Sequence, residues 1–254
     1  MFYLLLFIDK IDMNPKDIIN QNRLAYNLIA DEFLLKRQYR LDELRFLGQY
    51  LDDGDKILDL GCGWGRLYQV FADRSIKYVG ADQSVEPLKI ARKKFSGINP
   101  APSKMVIDKR PGQMIERRCG VKFVKAEMTK LPFKNEEFDK IFCIVTFHHL
   151  LSSDLMLEAL CEMRRVLKRG GKLIMTNWNV FSDWHKEKIK KGDYIEIGDN
   201  NLLVPWKNNQ GVVMAERFYH GFSSLELRKL FNQAGFEVEK QYYERHWDKK
   251  NKKD

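Results

Sequence analysis

Little in this sequence would hold a protein together covalently or through a metal. Its 254 residues include four cysteines. Cys62, Cys119, Cys143 and Cys161 show no CxxC pair and no regular spacing, which excludes a disulfide framework and a sequence-local zinc site. The five histidines form no HExxH pattern, so no metal ligands are expected. A reduced, intracellular protein with no membrane attachment is expected instead. The opening apolar run, Phe2 to Ile8, is far short of the roughly 20 residues a spanning helix needs. It lacks the basic lead and small-residue cleavage site of a secretory signal, and Asp9, Lys10 and Asp12 follow at once. It reads as a short packed segment, or an extension upstream of Met13. Internal repeats and domain boundaries are not visible either.

What is present suffices for a core. Hydrophobic residues make up 44% of the chain, with sixteen Phe, ten Tyr and five Trp, enough for one α/β domain. Charge is unbalanced, with 44 Lys and Arg against 35 Asp and Glu, a net +9. The lysines from Lys249 to Lys253 read as a solvated end. Lys109-Arg110, Arg117-Arg118, Arg164-Arg165, Lys168-Arg169 and Lys186 to Lys191 fit either a polyanionic partner or an ordinary basic surface.

Two helical stretches, Pro15 to about Leu35 and Leu41 to Leu51, precede a change of grammar. Short apolar strands are then predicted at 57–60, 78–82, 121–125, 140–145 and 171–177. Helices run between them to about Asp73, over 86–95 and over 155–167. This alternation makes a parallel sheet covered on both faces. The charged segment 97–120, with Pro100, Pro102 and Pro111, reads as a surface insertion. Residues 183–216 are polar and read as a cover over the active end of the sheet. A helix from Ser223 to Ala234, capped by Gly235, and a strand from Phe236 to Tyr243 close the chain.

The feature richest in chemistry is Asp59-Leu60-Gly61-Cys62-Gly63-Trp64-Gly65-Arg66. Glycines between a strand and a helix let backbone approach a ligand without Cβ clashes. The spacing is GxGxG; position 66, where a dinucleotide fingerprint needs its third glycine, holds Arg. This suits a ligand without a pyrophosphate, and Asp59 beside the loop would tolerate a cation. Asp82 ends the next strand, followed by Gln83, where a carboxylate can accept both hydroxyls of a ribose. Glu127 and Met128 follow the third strand ahead of Leu131-Pro132-Phe133, where an acid can take an adenine amino group. Any one acid alone is more often a cap or loop residue; three in register with successive strands are harder to dismiss.

ILDLGCGWG, YVGAD, the acid before LPF, FDKIFCIVTFHHL and RRVLKRGGKLIMT together resemble the class I S-adenosylmethionine-dependent methyltransferases over about residues 25–178. The resemblance implies a doubly wound, Rossmann-like α/β sheet of seven strands, one antiparallel, with helices on both faces. It also implies S-adenosylmethionine over the first strand ends, held by Asp59, Gly61, Cys62, Gly63, Gly65, Asp82, Gln83, Glu127 and Met128. On this view 1–52 are N-terminal helices, 53–178 the cofactor-binding core with its insertion, 179–247 an acceptor-side cover with the last strands, and 248–254 a basic tail. No Asn/Asp-Pro-Pro-Tyr element is present, which argues against methylation of a base amino group. Cys143 lacks an activating neighbour and reads as packing. His148 and His149 follow the fourth strand, either positioning an acceptor or simply packing a turn.

Val204-Pro205-Trp206, Arg217-Phe218-Tyr219-His220 and Glu226-Leu227, with Trp178 and Trp247, are similar to motifs of the tRNA wobble-uridine carboxymethyl methyltransferases. Arg37 loosely matches that family's amino-terminal arginine. The implied acceptor is a carboxylate, already ionised and needing a cationic cradle rather than a base. His148, Arg37, Arg217, Tyr219 and His220 are its candidate members. A tRNA partner, a small zinc-binding activator protein and a cytoplasmic setting are implied with it. The sequence departs from the family at Phe218 and in the 97–120 insertion. A small-molecule O- or C-methyltransferase, or a non-catalytic tRNA-binding scaffold, are the other readings.

Overall fold

The computed structural model describes residues 14–37, 42–96, 104–107, 114–117 and 120–243. The leading apolar run, Cys119, Trp247 and the basic tail lie outside them.

Five strands form the main sheet: β1 (Lys56–Leu60), β2 (Lys77–Asp82), β5 (Gly120–Lys125), β6 (Phe138–Ile144) and β7 (Leu167–Thr176). Every neighbouring pair is parallel, in the order β5-β2-β1-β6-β7. Side chains alternate between the faces, as the strand period requires. Ile57, Tyr78 and Phe142 pack with Leu44, Leu47 and Leu51 of the 3-10 helix Asp42–Tyr50 and with Leu67 and Phe71 of α3 (Arg66–Phe71). Leu58, Val79, Ile141 and Cys143 point the other way. They meet Met156, Ala159, Leu160 and Met163, one stripe of α5 (Ser153–Val166), and Leu230 of α7 (Ser224–Gln233). Helices therefore cover both faces, which parallel strands buried on each side demand. Chain order reverses between β1 and β6, and in open sheets of this kind ligands bind outside the carboxyl ends at that reversal.

The single helix expected from Pro15 is two, α1 (Pro15–Leu28) and α2 (Ala30–Arg37), broken at Ile29. The 97–120 segment contains a hairpin of β3 (Lys104–Ile107) and β4 (Met114–Arg117). Among the described residues the main sheet has five strands, not the seven that the family resemblance implies, and none is antiparallel. The strand expected at 236–243 does not form. Side-chain contacts hold that segment instead: Phe236 packs on Phe231, Lys172 pairs with Glu239 at 2.8 Å, and Gln241 donates to the Ser224 carbonyl at 2.9 Å. Antiparallel pairing appears in a separate sheet, ordered β10-β9-β8, made of β8 (Ile195–Glu196), β9 (Asn201–Lys207) and β10 (Val213–His220). With α6 (Asp183–Lys190) it occupies the stretch read as a cover. Asn22 on α1 is fully buried and clamps β10, accepting from Phe218 N at 2.8 Å and donating to its carbonyl at 3.2 Å.

Candidate active site

The glycine loop is fixed by the strand beside it. Gly61 N and Cys62 N both donate to the Ala81 carbonyl, at 2.7 and 3.1 Å, and Gly63 N donates to Asp82 Oδ2 at 2.9 Å. Gly61, Gly63 and Gly65 all have positive φ (74°, 54° and 80°), which side chains rarely tolerate. Their surroundings differ. A Cβ on Gly61 would collide with Thr146 at the end of β6, and one on Gly65 with Phe95, whereas one on Gly63 would meet nothing within 4 Å. Gly63 is thus the point where the loop backbone is open to a ligand.

The three acids do not play equal parts. Asp82 accepts from Gly63 N and, through Oδ1, from Ser84 N at 2.8 Å, joining the loop to the start of α4 (Val85–Phe95). Burial raises its carboxyl pKa, against those amide bonds. Glu127 stands exposed just past β5, where the Ala126 N bond to the Asp82 carbonyl ties the two strand ends together. Asp59 lies beneath the loop, 3% exposed, and accepts from the Tyr78 hydroxyl on the face opposite Leu58. Burial pushes its carboxyl up to about 7. Asp59 is therefore buried against Tyr78, with Cys62 and Arg66 of the loop within electrostatic reach. Met128 packs on the core, and Gln83 reaches 3.5 Å to the Ile19 carbonyl of α1. Burial also pushes the Cys62 thiol far up and that of Cys143 to about 12, so neither is a thiolate nucleophile.

A second cluster forms where β10 and α1 meet the carboxyl end of β6. Val145 has φ 55°, an uncommon backbone for a β-branched residue and one met at functional sites. The turn it makes delivers Phe147, His148 and His149. His148 is fully buried, 4.6 Å from the Tyr219 ring and 4.5 Å from that of His149. Among the described residues its ring nitrogens make no hydrogen bond of normal geometry, the Asn177 side chain being the polar neighbour. Burial, then the charges of His149 and Arg217, hold it well below the usual imidazole range, so it is neutral at pH 7. His149 is lowered to about 4 by burial, with Nδ1 bonded to the Phe218 carbonyl at 2.9 Å and Nε2 to Tyr26 at 3.1 Å.

Arg217 is 4% exposed. One guanidinium nitrogen donates to Tyr219 at 3.0 Å, and Nε has no partner. Its flanks are aromatic: the Trp206, Tyr219 and Tyr26 rings lie 5.2, 5.4 and 5.9 Å away. No carboxylate among the described residues forms an ion pair with it. Buried charges are normally paired; here rings and tyrosine hydroxyls stand where a carboxylate usually does.

Of the five expected cradle residues, the structure brings together His148, Arg217 and Tyr219. His220 points across β10, with Nδ1 at 2.7 Å from Asn201 and Nε2 at 2.8 Å from Glu226. It anchors the start of α7, because adjacent strand residues face opposite sides. Arg37 sits at the rim, 5.7 Å from the Phe33 ring, which packs on Trp206. Sequence reading missed Asn22 and Tyr26. Their spacing of four on α1 puts them on one helix face, and a polar pair on that face was the available signal.

Residues 58–175 match the model of the methyltransferase domain family. The tRNA (carboxymethyluridine(34)-5-O)-methyltransferase of Schizosaccharomyces pombe is 25% identical over 239 residues, covering 87% of this chain and 90% of that protein. A Methanosarcina mazei structure described as a SAM-dependent methyltransferase shares the fold, with TM-score 0.59 and 20% identity over 77% of this chain and 85% of that one. So does a chain of the Haloferax volcanii complex that contains the Trm112 methyltransferase activator, with TM-score 0.54 and 18% identity over 84% and 75% of the two chains.

Proposed function

We propose that this chain, a class I S-adenosylmethionine-dependent methyltransferase, esterifies the carboxylate of carboxymethyluridine at the wobble position of tRNA. The observation that carries the reading is Arg217, a buried guanidinium without a counter-anion among the described residues, beside two tyrosines and a buried, neutral histidine.

The chain's residues fit the cofactor. Gly63 offers open backbone, and Asp82 and Glu127 stand at successive strand ends beside it. Asp82 suits a ribose, and Glu127 an adenine amino group at the exposed rim. When bound, S-adenosylmethionine supplies an electrophilic methyl group on a cationic sulfur.

The acceptor carboxylate is ionised at neutral pH and has no proton to lose. Arg217 therefore binds and orients rather than acting as a base, and its planar fork matches a carboxylate. The Tyr219 hydroxyl, already bonded to Arg217, holds the fork in place. His148 can donate one hydrogen bond to the acceptor without adding charge. A methyl group held in line with the carboxylate oxygen would pass to it and leave a neutral thioether, while Arg217 keeps the oxygen aimed. The surrounding rings of Trp178, Trp206 and Tyr26 exclude water, which strengthens each polar contact within.

A tRNA acceptor is supported by the Schizosaccharomyces pombe relative and by the net positive charge. A small activator protein as partner is supported by the fold shared with a chain of the Trm112-containing complex. The cytoplasm is the compartment this reading implies, and no helix among the described residues is long and apolar enough to cross a membrane. Nucleoside mass spectrometry of tRNA from a deletion strain tests the acceptor. The expected result is loss of the methyl ester with accumulation of the free acid; an unchanged ester content refutes it.

A further inference from the structure

A string of rings leads outward from Tyr219, beside Arg217. Tyr219 meets Trp178 edge to face at 4.7 Å, Trp178 meets His185 at 5.3 Å, and His185 meets Trp184 at 4.7 Å. The inner members are buried or half-buried, but Trp184 on α6 is 50% exposed and Phe181 just before it 38%. Two large aromatic side chains three residues apart thus leave surface in water at the outer end of this string.

The charge along this rim says what kind of partner it fits. Lys188 lies 5.8 Å from the Trp184 ring and pairs with Asp193 at 2.9 Å. Lys207 reaches the same carboxylate at 3.6 Å, so one acid serves two lysines. Beyond it, Lys36 donates to the Lys207 carbonyl at 3.2 Å and pairs with Glu32. Arg37 follows with no carboxylate among the described residues. On α6 itself Lys186 and Lys191 answer Asp183 and Glu187, so cations outnumber acids from the exposed indole to Arg37. A protein partner would call for apolar continuity here; an exposed indole with Lys188 over one face and further cations beyond it suits a base with its phosphates.

We propose that Trp184 is a stacking platform for an unpaired RNA base next to the methyl-accepting nucleotide, with the rim cations taking the flanking phosphates. The proposal rests on the tRNA reading above. An acceptor nucleotide entering the Arg217 pocket must leave its own stack, and its neighbour then loses a stacking face, which the Trp184 ring replaces.

The test compares the full chain with Trp184→Ala and Trp184→Phe. Methylation of tRNA is followed at steady state, cofactor affinity by calorimetry, and binding of a labelled single-stranded RNA and a blunt RNA duplex by anisotropy. Trp184→Ala is expected to raise KM for tRNA about tenfold, equivalent to 1.4 kcal/mol and within the range for base–aromatic stacking. The turnover number and the cofactor affinity should stay unchanged. Single-strand binding should weaken by a similar factor and duplex binding should not, while Trp184→Phe should stay within about threefold of the parent. Unchanged KM and single-strand affinity in Trp184→Ala overturn the proposal, as does an equal loss on single strand and duplex. A parent enzyme that binds single strands through Trp184 yet never methylates tRNA would overturn the acceptor reading and leave the platform standing.

Discussion

Arg217 gives the sharpest prediction, because stability and activity should respond to its replacement in opposite directions. The guanidinium is 4% exposed, makes one hydrogen bond and has no ion-pair partner among the described residues. Taking such a cation out of water costs several kcal/mol even after relaxation. Contacts with three rings, each worth roughly 0.5–2 kcal/mol, and one hydrogen bond of about 1 kcal/mol return only part of it. Arg217→Met keeps much of the volume and removes the charge. The free protein should therefore be unchanged or more stable by about 2 kcal/mol, a rise in melting temperature of about 4–8 °C for a chain of this size. Activity should collapse. Two charge-assisted bonds to a carboxylate are worth about 1.5–3 kcal/mol each, so kcat/KM should fall by about 10²- to 10⁴-fold. Arg217→Lys keeps the charge without the fork and should fall between. Thermal denaturation of the apo protein, cofactor calorimetry and steady-state kinetics with tRNA read all three quantities. Were Arg217→Met to destabilise the fold by 3 kcal/mol or more while folded protein kept its kcat/KM, Arg217 would be a structural cation and the carboxylate cradle would be wrong.

Other consequences are as direct. Asp82→Ala removes the acceptor for Gly63 N and Ser84 N and should weaken cofactor binding by about 100-fold, whereas His148→Ala should change it less than threefold; equal effects in calorimetry would show the roles misassigned. Asp59 has a folded carboxyl pKa raised to about 7, so the folded apo protein binds a proton more tightly than the unfolded chain does. The stability this contributes is fully present below about pH 4 and is lost as pH rises towards 7. Asp59→Asn should therefore stabilise the apo protein by about 2–4 kcal/mol at pH 8 and by little at pH 4, and a gain that does not vary with pH would contradict this. His220→Ala, which frees Asn201 and Glu226, should lower the melting temperature by several degrees while kcat stays within about threefold. Cys143→Ala should keep its turnover, since burial holds that thiol protonated; complete loss with the fold intact would restore a nucleophilic role.

How legible the site was depended on how far apart its parts lie in the chain. Asp59, the three glycines and Asp82 fall within two strands and one helix, and strand period and turn chemistry place such neighbours reliably. Even there, one residue of register decided a role. Asp59 faces Tyr78 because strand side chains alternate, so its carboxylate is buried against that hydroxyl instead of standing open. The same alternation separated His220 from Arg217 and Tyr219, although a linear reading grouped all three.

The carboxylate acceptor beside Arg217 was implied by a family resemblance, whereas the α/β class and the glycine loop with its acids came from the residues alone. These are local patterns of spacing and residue type, which backbone geometry makes readable. The tertiary structure decided the rest: five strands in the main sheet, a separate antiparallel sheet over its carboxyl ends, and Asn22 and Tyr26 of α1 set against β10 nearly 200 residues later. That pairing buries Arg217 without a counter-charge among the described residues. Burial depends on which distant surfaces meet, and no spacing along the chain encodes it.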